Sequence, residues 1–148
     1  MRLARRWRRS RGAGWMRWGV AFGVFAMTAC SQSTEPGADP LDGSWEWIDA
    51  SGGIAGTTRT PATEGYTMSV DHRANGGTAR FLVFRNDSLF AETTVRRSAS
   101  SSADQGTLVY GDPVLGWPEQ EFEIRADTLV LRDGCCDGFT YRFHRGAP

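Results

Sequence analysis

The chain has 148 residues with 17 arginines and 17 acidic residues, so it is formally neutral at pH 7. Seven of the arginines lie within the first 17 residues, and without residues 1–29 the chain has ten arginines against 17 acidic residues, a net charge of −7. Such a chain has no basic stripe to neutralise phosphates, which argues against nucleic-acid binding. The remaining 119 residues suffice for one domain.

Residues 1–29 have the layout of an export signal. The arginine-rich start is followed by twelve uncharged residues, 18–29, where a membrane-spanning helix needs about 20. A signal peptide is therefore favoured over a permanent anchor or a buried helix. The arginine pairs leave export by the twin-arginine route open, although the usual sequence around the pair is missing.

Cys30 follows this segment directly. Thr28-Ala29-Cys30 resembles the lipobox of bacterial lipoproteins, with Met27 at the position where leucine is more common. The resemblance implies cleavage before Cys30, acylation of its sulfur and anchoring to a lipid bilayer of the cell envelope. Ser31, rather than aspartate, comes next. By the sorting rules of such lipoproteins this favours the outer membrane, facing the periplasm or the surface.

Residues 30–40 are predicted to form a flexible tether, and residues 41–148 one all-β domain. The tether contains two prolines and no large apolar side chain. Beyond it, short runs with alternating apolar residues, or with many β-branched and aromatic residues, are separated by turn residues. These eight predicted strands are 44–50, 66–71, 78–85, 88–97, 107–110, 119–125, 128–132 and 139–145.

The alternation gives each predicted strand one apolar and one polar face. Eight such strands must either stack as two sheets or close on themselves, and mostly short connections favour sequential neighbours. We therefore expect an eight-stranded antiparallel up-and-down β-barrel, with a β-sandwich as the structural alternative and no helix. The side chains expected inside are Trp45, Trp47, Tyr66, Met68, Phe122, Leu129, Phe139 and Tyr141.

Gly43-Ser44-Trp45 resembles the Gly-x-Trp signature of the lipocalins and their relatives in the calycin superfamily. Together with Thr60-Pro61 and the segment 127–139, it makes residues 41–145 similar to small lipocalin-like lipoproteins of bacteria. The similarity departs between residues 98 and 118, and the Thr-Asp-Tyr motif of lipocalins is absent. The resemblance implies a barrel that binds a small apolar ligand.

Arg145 is expected to have a structural role together with Trp45. In lipocalins an arginine of the last strand packs across the indole of the Gly-x-Trp motif, at the closed end of the barrel. Arg145 shares a strand face with Phe143, so the resemblance implies the same cation–π contact here. A solvated terminal arginine is the alternative.

Histidines and carboxylates do not suggest a catalytic site. His72 and His144 have no nucleophile elbow near them, so both are expected on the surface. Glu119, Glu121 and Glu123 alternate with apolar residues, which puts them on the wet outer face of a strand. The chain is therefore predicted not to be an enzyme and to need no cofactor or metal.

Cys135 and Cys136 are adjacent in a turn of an exported chain. Three interpretations remain open: a metal site, a strained vicinal disulfide, and a tight hairpin with two thiols that could crosslink to a partner. A closed zinc site would need four convergent ligands, and the sequence has no second cysteine or histidine cluster.

Strand counting places the ligand site. If the tether enters the first strand at the closed end, four connections lie at the other end: the long segment 51–65, Asn86-Asp87, the segment 111–118 and the cysteine turn 133–138. Long connections in compact domains are often functional, so Trp47, Ile54, Tyr66 and Trp117 are predicted to line or rim a ligand site. The alternative function is a solid-core interaction module of the envelope, an inhibitor or an assembly accessory. An open interior of a few hundred Å³ would favour ligand binding.

Overall fold

The computed structural model describes residues 39–75 and 78–147. The predicted signal peptide, Cys30 and the tether up to residue 38 lie outside this part of the chain. The described residues are all-β, with nine strands in a single antiparallel sheet and one short helix, α1 (Pro61–Glu64). The strands are β1 (Gly43–Gly52), β2 (Thr57–Arg59), β3 (Met68–Asn75), β4 (Thr78–Arg85), β5 (Ser88–Arg97), β6 (Gln105–Tyr110), β7 (Glu119–Arg125), β8 (Thr128–Asp133) and β9 (Phe139–Arg145).

The sheet closes into a ring because β1 pairs with both β3 and β9. From β3 to β9 each strand pairs with the next along the chain, so eight strands make up the ring. The ninth, β2, pairs with residues 50–52 of β1, beyond the point where β1 leaves β3. Sequential antiparallel neighbours are confirmed, and the described strands form one sheet rather than a two-sheet sandwich.

The segment 51–65, predicted as a loop, contains β2 and α1. Each is too short, at three and four residues, for strand or helix periodicity to show in the sequence. The helix has clear end signals: the Thr60 hydroxyl accepts from the Thr63 N–H, and Gly65 ends the helix at a φ of 75°. The prediction of eight strands and no helix was therefore wrong here. Among the described residues no helix is long and apolar enough to cross a membrane.

A β-bulge in β1 changes which side chains face the interior. The register between β1 and β9 shifts between Trp47 and Asp49. After the shift, Ala50 lies opposite Tyr141 and is buried. Asp49 takes the outer face, where its Oδ1 accepts from Arg142 Nε at 2.9 Å. Ala50 therefore follows Trp47 on the inner face, and its small side chain leaves space at this end of the ring.

Apolar side chains fill the interior of the ring nearer the start of β1. Of the eight predicted inward side chains, five are buried, and Tyr66, Phe139 and Tyr141 are partly buried against the core. Burying each large apolar side chain stabilises the fold by about 1.5–3 kcal/mol. The largest fully buried ones are Trp45, Phe81, Phe122, Phe143, Leu41, Leu108, Leu129 and Leu131.

Candidate functional site

A recess of about 310 Å³ lies at the end of the ring where β1 finishes. The connections at this end are 53–67, Asn86-Asp87, 111–118 and 134–138, within two residues of the bounds that strand counting predicted. We call this space the aromatic recess, because four of its eleven lining residues carry aromatic rings. It is lined by Trp47, Ala50, Arg59, Tyr66, Met68, Arg85, Val114, Leu115, Gly116, Phe139 and Tyr141.

Two of the four predicted site residues line the aromatic recess. The rings of Trp47 and Tyr66 are stacked, with centroids 5.8 Å apart and planes 17° from parallel. Ile54 and Trp117 do not line it: their side chains are 91% and 42% exposed. The segments 53–67 and 111–118 both contribute lining residues, but which residue of each faces inward depends on turns that have no periodicity.

Arg59 and Arg85 are the lining residues that the sequence analysis missed. The guanidinium carbon of Arg85 lies 4.7 Å from the Tyr66 ring centroid and 3.8 Å from that of Phe90. That of Arg59 lies 4.8 Å from the centroid of Phe139. Neither arginine forms an ion pair with a carboxylate in the described part of the chain. The alternation along β4 could have identified Arg85, since it continues the inward series of Phe81 and Val83.

Two N–H donors on these lining residues lack acceptors. Trp47 Nε1 and Arg85 Nε are both buried, and neither has a hydrogen-bond partner among residues 39–75 and 78–147. Buried donors without acceptors are rare in proteins, because each costs about 1–3 kcal/mol. Two of the three such donors in the described chain belong to lining residues of this one recess, and the third is Arg97 Nε at the other end of the ring.

A chain of polar side chains crosses the interior beside the aromatic recess. The buried Tyr110 hydroxyl donates to Gln120 Oε1 at 2.9 Å, and Gln120 Nε2 donates to Asp133 Oδ1 at 2.6 Å. The other carboxylate oxygen of Asp133 accepts from the Phe139 N–H at 2.7 Å. Burial, and secondarily the Asp133 charge, raises the pKa of Tyr110 far above its ordinary value.

Tyr141 joins the wall of the aromatic recess to the segment 111–118. Its hydroxyl donates to the Leu115 carbonyl oxygen at 2.9 Å. Burial and then the Asp133 charge raise the pKa of Tyr141 to about 12, against the opposing effect of Arg59. This hydroxyl therefore stays protonated at neutral pH and serves as a hydrogen-bond donor that holds the segment over the recess.

His72 is buried at 3% exposure, so the prediction of a surface histidine was wrong. Strand β3 extends beyond the predicted end at residue 71, and His72 continues the inward series of Met68 and Val70. Its Nδ1 lies 2.7 Å from Asp42 Oδ1. His144 is exposed, and its Nε2 lies 3.1 Å from Glu46 Oε2.

The described residues include one group that could hold a metal, formed by Asp39, Asp42 and His72 at the opposite end of the ring from the aromatic recess. Each carboxylate already has protein partners. Asp42 also accepts from the Ala74 N–H at 3.0 Å, and Asp39 pairs with Arg97. These contacts fasten the start of the described chain to the sheet, which accounts for the group without a metal.

The three glutamates of β7 lie on its outer face, as the alternation predicted. Glu119 and Glu121 are exposed, and Glu123 accepts from Arg132 at 3.0 Å and Arg125 at 2.6 Å. These two hydrogen bonds lower the pKa of Glu123. They form a surface ion-pair group without access to the interior.

Cys135 and Cys136 are exposed, free thiols in the turn between β8 and β9. The Gly138 N–H donates to the Cys135 carbonyl at 3.0 Å, which closes the turn. Of the three interpretations of this pair, the arrangement corresponds to the tight hairpin with two thiols. Neither cysteine belongs to the group of potential metal ligands.

No protein-family model matches the sequence, and a search among curated proteins finds no similar chain. The aromatic recess, together with the predicted signal peptide and Cys30, therefore carries the functional proposal.

Proposed function

We propose that this chain is a lipid-anchored, lipocalin-like β-barrel lipoprotein that binds a small apolar ligand in the aromatic recess. The observation that carries the proposal is the recess itself, with about 310 Å³ bordered by four aromatic rings. Small-molecule pockets typically have volumes of about 300–1,000 Å³ and are mostly apolar with a few polar groups. The recess is at the lower end of that range, which favours a small ligand.

The described chain enters the ring at the end opposite the recess, and the proposed anchor precedes this entry in the sequence. Acylated Cys30 would fix the chain to the outer membrane, since each buried CH₂ contributes about 0.8 kcal/mol. The described chain begins at Asp39, beside the start of β1, whereas the recess lies where β1 ends. The mouth would then face away from the anchoring bilayer, accessible from the periplasm or the exterior.

Binding is favoured over catalysis by the chemistry of the lining. The titratable lining groups are two arginines and two tyrosines. Neither pair supplies a nucleophile with an adjacent general base, which hydrolytic or acyl-transfer chemistry requires. We therefore propose a binding protein rather than an enzyme.

A neutral fluorescent probe tests the proposal. N-phenylnaphthylamine would be titrated into the lipidated protein in phosphatidylcholine nanodiscs. The matched blank is Val114→Trp, because the new indole would fill the recess from a partly exposed loop. Ala50→Leu fills it from the strand side. We expect binding by the wild type and loss of binding in both variants. Equal binding by all three proteins, at unchanged unfolding midpoints, would exclude the recess as the site.

A second candidate function is an interaction module of the cell envelope. It is favoured by the exposed apolar side chains at the same end of the ring: Ile54, Leu89, Phe90 and Trp117. A large exposed apolar patch is typical of protein contact surfaces. Absence of probe binding by the wild type would favour this alternative over ligand binding.

A further inference from the structure

We infer that the aromatic recess selects organic anions, with a flat apolar body among its rings and a carboxylate, sulfonate or phosphate group bound by Arg59 and Arg85. The inference rests on the proposed function and adds the charge class of the ligand. Among the described residues, two positive side chains and no acidic one line the recess. A cationic ligand would be repelled there, and a neutral ligand would leave both guanidiniums without partners.

Arg59 and Arg85 lack the carboxylate partners that most arginines of the described chain have, as does the exposed Arg96. From residue 39 onward the chain has ten arginines and sixteen acidic residues, so partners are abundant. Six of those arginines form ion pairs with carboxylates, and Arg145 donates to backbone carbonyls. The six paired arginines are Arg73, Arg80, Arg97, Arg125, Arg132 and Arg142.

Aromatic contacts position both guanidiniums without using their hydrogen-bond donors. Arg85 contacts Tyr66 and Phe90, and Arg59 contacts Phe139, all within 5 Å of the ring centroids. A guanidinium held in this way keeps N–H groups that fit the oxygens of a carboxylate or phosphate in pairs. The Nε of Arg85 is buried without a hydrogen-bond acceptor. The negative charge of a bound anion would offset part of the cost of burying this donor.

The nearby negative charge does not compete for these arginines. Asp133 is the acidic residue that acts on Tyr141, but it does not line the recess. Both of its carboxylate oxygens accept hydrogen bonds, from Gln120 and from the Phe139 N–H. The stacked rings of Trp47 and Tyr66 provide a flat apolar surface for the body of the ligand.

Two probes with the same aromatic body separate charge from apolar binding. Anilinonaphthalene sulfonate is N-phenylnaphthylamine with an added sulfonate group. Both would be titrated into the lipidated protein in phosphatidylcholine nanodiscs, with the Val114→Trp protein as the blank. We expect Arg59→Gln and Arg85→Gln each to weaken binding of the anionic probe by about fivefold or more, as expected for loss of one charge-assisted contact. Binding of the neutral probe should change by less than about twofold.

Arg96→Gln is the matched control. Arg96 is exposed near the far end of β5 and does not line the recess, so its loss removes the same charge from elsewhere on the surface. It should leave both affinities unchanged. Retained binding of the neutral probe by the Arg59 and Arg85 variants would show that they are folded.

The outcomes are distinct. If the Arg59→Gln/Arg85→Gln protein binds both probes as the wild type does, the recess binds apolar molecules without charge selection, and only the present inference fails. If the wild type binds neither probe, the proposed function fails. Competition then identifies the source of the anion: displacement of the anionic probe by soluble naphthoate supports a free organic anion. Displacement by phosphatidylglycerol vesicles alone would show a lipid headgroup site and overturn the free-anion ligand.

Discussion

Arg145 covers the indole of Trp45, with its guanidinium carbon 4.0 Å from the ring centroid. The same guanidinium donates to the backbone carbonyl oxygens of Asp42 at 3.2 Å and Pro40 at 2.8 Å. The indole N–H of Trp45 donates to the backbone carbonyl oxygen of Leu41 at 2.9 Å. The last strand, the first strand and the chain entering the sheet are therefore joined at one point. Pro40, assigned to the tether from its sequence, takes part in this contact.

Arg145→Met should lower the free energy of unfolding by about 1–3 kcal/mol, because it removes a cation–π contact and two charge-assisted hydrogen bonds but keeps an apolar stem. Denaturant unfolding followed by tryptophan fluorescence measures the change. Arg145→Lys should lose less, since it keeps the charge. Arg96→Met is the control for an exposed arginine, and an Arg145→Met protein as stable as this control would contradict the structural role.

Gln120→Leu should destabilise the fold by about 2–4 kcal/mol, because it leaves the buried Tyr110 hydroxyl without an acceptor and removes one of the two hydrogen bonds to the Asp133 carboxylate. Tyr110→Phe removes the hydroxyl that Gln120→Leu leaves without an acceptor. The double variant should therefore lose less stability than the sum of the two single variants. Strict additivity in chemical denaturation would show that the hydrogen-bonded chain does not act as a unit.

The stability of the fold should fall at alkaline pH. Unfolded tyrosines titrate near pH 10, whereas burial raises the pKa of Tyr110 beyond the usual range and that of Tyr141 to about 12. Above about pH 10 the unfolded chain releases protons that the folded chain retains, so the free energy of unfolding decreases as pH rises. Unfolding midpoints between about pH 8 and 11.5 measure the slope. The slope should be shallower in Tyr110→Phe/Tyr141→Phe, and an unchanged slope would assign it to other groups.

The strands were predictable because one face of each is wet and the other is dry. Phe122, Leu129 and Phe143 occupy the inner positions that alternation assigned to them. The bulge after Trp47 was not predictable, because it depends on pairing with β9, far along the chain. The polar chain from Tyr110 to Asp133 is similarly formed by three different strands. His72 was misassigned because a single polar residue at a strand end gives no sign of a partner as distant as Asp42.

The same limits apply to the aromatic recess. Trp47 and Tyr66 were identified because aromatic residues on an inner face near a long connection indicate a pocket. Arg59 lies on a three-residue strand without periodicity, and only its pairing with β1 brings it to the recess. Ile54 and Trp117 are large apolar residues of the predicted connections, but their side chains are exposed rather than turned into the recess. Loop conformation determines which side chains turn inward.

Cys30→Ala should abolish acylation and leave an uncleaved or soluble product. The arginine-rich start, the short apolar segment and the small residues before Cys30 predict lipidation at this sulfur. Intact mass spectrometry should find a wild-type product that begins at Cys30 and carries acyl chains, and detergent should be needed to release it from membranes. The matched control is Cys135→Ala/Cys136→Ala, which removes the two exposed thiols and should remain acylated and membrane-bound. A Cys30→Ala protein that fractionates and migrates like the wild type would exclude the lipid anchor.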